Sequence, residues 1–256
     1  MHYLHSGATT LPRVRPALDR GQLFVLLHCA GGCAGLWRRQ VEGLSDGHSV
    51  VAIDMPGHGR SGGVDGLTTI DANVALLAQF ADALPLRPFV LVGHGLGATI
   101  ALAFAARHGA RLRGLVLVGA TLQPDLGDAL GTLRQVVQGR LPQQFSPEFF
   151  SPQTTPAIMR EFFTGYVTTD PRVRLADLEA AHGHDCAPAC RSISIPTLVI
   201  TGEDDRIAPP AAGTAVAQAI AGARTELIAA AGHALGLEQP EAFNQALAHF
   251  AAGLAS

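Results

Sequence analysis

The chain has 256 residues, 48% of them hydrophobic and 15% charged, and a formal net charge of −3. That length fits one domain with a sizeable core, or one domain carrying an insertion. The charge balance, with no long basic run, argues against a nucleic-acid partner, and no apolar stretch reaches the roughly 18 residues of a membrane span. The four cysteines, Cys29, Cys33, Cys186 and Cys190, are too few and too clustered for a secreted disulfide framework. The opening MHYLHSGATTLPRVRP has no apolar run of signal-peptide length, which makes the cytoplasm the expected location.

An edge strand is expected near His2–His5. Leu23–His28 is a continuous apolar run of buried-strand type. It ends in a glycine-containing loop, Cys29-Ala30-Gly31-Gly32-Cys33, and a helix opens near Trp37. Ser49–Asp54 is the next buried strand and runs into the turn-rich Met55-Pro56-Gly57-His58-Gly59-Arg60-Ser61. Thr69–Leu84 has helical spacing, with Thr69 or Thr68 suited to the N-cap. Phe89–Gly93 is a strand, Leu96–His108 a helix with Gly109 placed to cap its C-terminus, and Leu115–Gly119 a further strand. Residues 121–190 change character: prolines punctuate short helical patterns and strand-like runs are missing, which predicts an inserted helical cap. Ile195–Thr201 resumes the strand signature, followed by a helix over Ala211–Ala221, a short strand at Thr225–Ile228 and a closing helix over Pro240–Leu254. Alternation of strands and helices predicts an α/β fold with a doubly wound, mostly parallel sheet, formed by 1–120 and 191–256.

The stretch Gly93-His94-Gly95-Leu96-Gly97 has the strand–turn–helix context of a nucleophile elbow, G-x-S-x-G. The position where Ser, Cys or Asp would stand is Gly95. Three other loops leave strand ends on the same side of such a sheet, where ligands bind. The loop after Leu23–His28 could supply a backbone N–H, with Ala30 favoured, to pair with that of Leu96 as an oxyanion hole. Glu203, Asp204 and Asp205 follow another strand and are equally suited to cap the turn there. His233 follows the last. Elbow, acid and histidine fall in the order of a hydrolytic triad.

LLHCAGG, DMPGHGRS, VGHGLG, PTLVITGEDDRIAPP and AAGHALGLEQPEAF together resemble the α/β-hydrolase superfamily over nearly the whole chain. They are most similar to its compact group of enol-lactonases, carbon–carbon bond hydrolases, small esterases and thioesterases. The resemblance implies that Asp205 is the acid, His233 the base, and Ala30 and Leu96 the oxyanion donors. Two positions depart from the pattern: Gly95 replaces the nucleophile, and Cys29 replaces the glycine usual after the loop histidine. Epoxide hydrolase and haloalkane dehalogenase readings need an Asp at position 95.

Glycine adopts elbow geometry without strain. Gly95 therefore admits three readings: a nucleophile lost in a small-ligand binding protein, a parental serine replaced by engineering, or an enzyme that needs no covalent nucleophile. The last has a physical route, because His233 could activate water for direct attack on an ester, thioester or lactone carbonyl. A cofactor-free, non-hydrolytic acid–base reaction using His233 and Asp205 is the enzymatic alternative. No cofactor or metal is implied. His182, His184, Asp185, Cys186 and Cys190 have zinc-ligand types, but their irregular spacing suits a linker better. His28, His58 and His94 are expected to brace their loops. The partner is a small acyl substrate, with Trp37, Phe145, Phe162 and Tyr166 offered as its contacts; the oligomeric state is left open.

Overall fold

In a computed structural model, which describes residues 1–7, 15–63, 66–143 and 146–254, seven strands form one sheet in the order β1-β3-β2-β4-β5-β6-β7. The strands are β1 (Tyr3–His5), β2 (Leu23–Leu27), β3 (Ser49–Ile53), β4 (Phe89–His94), β5 (Leu112–Val118), β6 (Thr197–Gly202) and β7 (Arg224–Ile228). Only β1 runs antiparallel, pairing Tyr3 with Ile53; every other neighbour is parallel. β2 to β6 are continuous apolar runs because helices cover both faces, so alternate side chains enter two different cores. Leu23, Val25 and Leu27 pack with α2 (Ile70–Ala83) and α3 (Leu96–His108). Phe24 and Leu26 point the other way, toward α1 (Arg38–Gly43) and α10 (Pro240–Ala252). β7 closes the sheet and is exposed at four of its five residues, as an edge strand is.

Thr69 caps α2, its hydroxyl accepting from the Ala72 N–H at 3.2 Å. Between β5 and β6 the chain forms α4 (Gly127–Val137), α5 (Pro156–Val167), α6 (Pro171–Ala181) and α7 (Ala187–Ser192), with no strand among the described residues. The prolines at 156 and 171 sit in the first turns of α5 and α6, where a missing N–H costs nothing. α8 (Pro210–Ala219) and the short α9 (Leu235–Glu238) complete the fold. No helix among the described residues is long and apolar enough to cross a membrane.

β4 and α3 nearly touch. A β-carbon on Gly93 would lie 2.1 Å from the Gly97 carbonyl oxygen, and one on Gly97 would lie 2.6 Å from that of Leu27. These two glycines let the first turn of α3 sit directly on the sheet, which aims Gly95 into the space above the carboxyl ends of β2, β4 and β5.

Candidate active site

Gly95 stands at the tip of the turn with φ 55° and ψ −112°, a combination that strains any residue with a β-carbon. The turn is pinned by the Gly95 N–H, which donates to the Val118 carbonyl at 3.0 Å. A β-carbon on Gly95 would lie 3.4 Å from His233 Nε2 and 3.3 Å from Cys29 Cβ. The base therefore faces the nucleophile position, and Cys29 takes up part of the room beside it.

The three acids after β6 separate cleanly. Asp205 Oδ2 is 2.8 Å from His233 Nδ1, and its Oδ1 accepts from the Ile207 and Ala208 N–H groups, both at 2.8 Å. Asp204 instead accepts from the Ser151 hydroxyl at 2.6 Å, and Glu203 from the Ala230 N–H at 3.3 Å. With Asp205 accepting from Nδ1–H, the lone pair of His233 sits on Nε2, toward Gly95. The histidine backbone is fixed too: its N–H donates to the Phe149 carbonyl at 2.8 Å.

The oxyanion turn is equally ordered. The Met55 N–H donates to His28 Nε2 at 3.2 Å, so His28 carries its proton on Nδ1 and donates to the Cys29 carbonyl at 2.8 Å. Burial and the nearby His58 charge push the His28 pKa down to about 4, which keeps that tautomer neutral. The Gly32 N–H closes the turn on the same carbonyl at 2.9 Å. Ala30 and Leu96 line the cavity, and neither N–H donates to another described residue in the turn and loop contacts. Burial above all, with the His233 ring beside it, holds His94 well below the ordinary imidazole range; the two rings lie 4.5 Å apart.

A cavity of about 640 Å³ opens above this floor. Gly95, Leu96 and His233 line its base, and Phe149, Tyr166 and Arg174 its wall. Of the aromatic residues expected to contact substrate, the structure places Tyr166 on this wall. Trp37 and Phe162, 3% and 1% exposed, do not line it; with Cys29 and Leu36 they line a much smaller space instead. Trp37 packs edge-on against His94 and beside Phe243, and Phe162 stacks under Tyr166 and against Phe150. Phe145 lies outside the described residues.

The four cysteines are buried free thiols, and burial raises each thiol pKa, that of Cys29 to about 12. Among the described residues no group of three or more His, Cys, Asp or Glu side chains could hold a metal. His182 Nδ1 accepts from the Leu126 N–H at 3.0 Å and so ties the linker to α4.

Three contributors were not singled out from sequence. Gly119, with φ +54°, ends β5 directly behind the base; a β-carbon there would lie 2.7 Å from His233 Cε1. Its place at the end of a buried strand was the available signal. Glu238 is buried and accepts from the Ser151 N–H (2.7 Å), the Gly232 N–H (2.9 Å) and the Thr154 hydroxyl (2.5 Å). It thereby ties the segment before α5 to the histidine loop. Arg174, 3% exposed, reaches the cavity from α6 and lies 4.7 Å over the Tyr166 ring. Nothing in the spacing of these last two residues marks them.

A seven-stranded sheet of this order, with a sharp strand-to-helix turn, an Asp–His pair and two free N–H groups meeting at one cavity, defines the hydrolase class to which the motifs pointed. The chain belongs to the α/β-hydrolase family, whose profile matches residues 24–246. It is 30% identical over 239 residues, 88% of each chain, to a pyrrolizixenacetamide deacetylase of Xenorhabdus hominickii. Among solved structures it is similar to a thermophilic esterase of Thermogutta terrifontis, with TM-score 0.83 and 27% identity, covering 97% of this chain and 92% of that one. It is also similar to the enol-lactonase of Burkholderia xenovorans LB400, with TM-score 0.80 and 26% identity, covering 97% and 95%.

Proposed function

We propose that this protein hydrolyses a carboxylic ester, thioester or lactone by direct attack of water, with His233 as general base and Asp205 orienting it. The carrying observation is the meeting of an Asp-bound imidazole with a nucleophile position that has no side chain, 3.4 Å from His233 Nε2 to the point where a β-carbon would stand. Water bound there gives a proton to Nε2 as its oxygen bonds to the acyl carbon. The carbonyl electron pair moves onto oxygen, toward the Ala30 and Leu96 N–H groups. Collapse breaks the bond to the leaving group, which takes the proton back from the imidazolium. Protein groups, substrate and water suffice for these steps.

The segment 121–190 acts as the cap that sets specificity. Its apolar wall suits an acyl chain or small ring. Arg174 is the one Lys or Arg among the described residues lining the cavity, and its Nε has no hydrogen-bond partner there. Asp125, Asp128 and Glu148 line the same cavity, so a substrate carboxylate is favoured only at the Arg174 end.

A panel of short p-nitrophenyl esters and lactones, including the p-nitrophenyl hemiester of succinate, tests this reading. The chain should hydrolyse esters above background, with the hemiester favoured over a neutral isostere. His233→Ala should lose roughly 100-fold or more of that rate, the usual worth of a positioned general base. Equal rates for the chain and His233→Ala would overturn the proposal.

A further inference from the structure

A second buried histidine–carboxylate pair joins the helical segment to the oxyanion turn. Asp177, on α6, accepts at one oxygen, Oδ2, from both His58 Nε2 and the Gly31 N–H, each at 2.8 Å. The two side chains are 5% and 2% exposed. The other ring nitrogen of His58 is 3.0 Å from the Pro56 carbonyl. Both nitrogens face acceptors, so the ring is held as the imidazolium. Burial pushes its pKa down, but the hydrogen bond and charge of Asp177 outweigh this and raise it overall. The resulting ion pair lies next to the turn that carries Ala30.

We propose that Asp177 is a positioning residue for the oxyanion hole: it takes up the Gly31 N–H and so fixes the turn with the Ala30 N–H facing the reacting carbonyl. This rests on the hydrolase reading above and adds the group that selects the donor. Three contacts leave the turn little freedom. The Cys29 carbonyl is held by His28 and the Gly32 N–H, the Gly31 N–H is held by Asp177, and Ala30 lies between them. Gly31 has φ +70°, and a β-carbon on it would lie 2.6 Å from Arg174 Cδ and 2.8 Å from the Tyr166 ring. Glycine is thus required twice, for its backbone angle and for the close seating of the α5 and α6 side chains. Asp177 brings negative charge close to where an oxyanion forms. The His58 imidazolium bonded to it, and Arg174 one turn earlier on the same helix, offset that charge. The geometry also makes the oxyanion hole depend on the segment over it: only when α6 is seated does Gly31 find its acceptor.

The test compares Asp177→Asn and His58→Gln, each in a Gly95→Ser background where ester turnover is high enough to separate kcat from KM. Loss of an entire oxyanion donor costs roughly 10²–10³ in kcat. Asn keeps an oxygen that can accept from Gly31 but loses the charge that holds it, so Asp177→Asn should loosen the turn and cost less, about tenfold in kcat, with KM within about twofold. Inhibition by an alkylphosphonate, a tetrahedral anion that needs the donors, should weaken by a similar factor. Exchange of the Gly31 amide should accelerate while sheet amides stay protected. His58→Gln keeps a donor to Asp177 but removes the charge, and should show the same pattern at roughly threefold. It decides the matter if Asp177→Asn does not fold. Unchanged kcat and phosphonate inhibition, or equal losses in kcat, KM and thermal stability, would reduce Asp177 to a structural anchor. Equal ester hydrolysis by the unaltered chain and by His233→Ala would instead overturn the hydrolase reading on which the inference stands.

Discussion

Gly95→Ser is expected to raise ester hydrolysis by about 10²–10³-fold over the chain as it stands. Removing a serine nucleophile from an intact triad costs up to roughly 10⁶ in kcat, and what remains comes from the oxyanion donors and binding. A serine placed there should recover only part of that span, because Cys29 crowds the position. At φ 55° a β-carbon is strained by about 1–3 kcal/mol, and the one added here would press on Cys29 Cβ at 3.3 Å. The same substitution should therefore lower Tm, by about 2–4 °C for each kcal/mol of strain in a chain of this size. Adding Cys29→Gly removes the crowding atom, so Gly95→Ser/Cys29→Gly should recover stability relative to Gly95→Ser alone. Steady-state kinetics with p-nitrophenyl acetate and thermal melts of the three proteins check this. A serine variant no faster than the starting chain would show that the Asp205–His233 pair cannot serve a nucleophile at position 95.

Gly93→Ala should be the most damaging conservative change in the elbow. The new methyl would stand 2.1 Å from the Gly97 carbonyl oxygen, 2.5 Å from its carbon and 2.7 Å from the Ala98 nitrogen. These are backbone atoms of α3, so no side chain can swing aside, and the helix must lift from β4. Overpacking ordinarily costs about 1–3 kcal/mol, and a backbone collision in the centre of the sheet belongs at or above the top of that range. A loss of about 3 kcal/mol corresponds to a Tm lower by roughly 6–12 °C. Gly131→Ala is the control: nothing lies within 4 Å of its β-carbon, and alanine in a helix is favoured over glycine by roughly 0.5–1 kcal/mol. It should leave Tm unchanged or raise it slightly. Comparable melts for the two variants would contradict the close strand–helix approach.

The sheet and the elbow were legible because their signals are local. Five largely buried strands read as apolar runs, and the glycines at 93 and 97 are demanded by one turn. The His233 loop was legible through its place after the last strand. Three acids follow β6; the motif resemblance singled out Asp205, and the folded turn adds the partners, pairing Asp205 with His233, Asp204 with Ser151 and Glu203 with Ala230. The substrate wall was less legible, since an aromatic residue in a helical pattern does not say which side it faces. Trp37 and Phe162 are buried in packing contacts, while Arg174, a charged residue on a short helix, turns inward. Pairings between distant elements left no trace in spacing. Asp177 reaches Gly31 across 146 positions and His58 across 119, and Glu238 reaches Ser151 across 87.

These pairings share a consequence. The helical segment supplies contacts to two sides of the cavity floor, Asp177 to the Gly31 N–H and the Phe149 carbonyl to the His233 N–H. It sits over the cavity and at the same time holds the backbone of His233 and of the Cys29–Gly32 turn.

The most direct measurement is the intact mass of the protein during turnover of a slowly hydrolysed ester, followed alongside product release. Attack by His233-activated water predicts product accumulating while every protein molecule keeps its unmodified mass; Gly95→Ser under the same conditions should gain the mass of one acyl group. An acyl adduct on the unaltered chain, at the buried Cys29 thiol beside position 95 for example, would contradict the account and assign the chemistry to a covalent nucleophile.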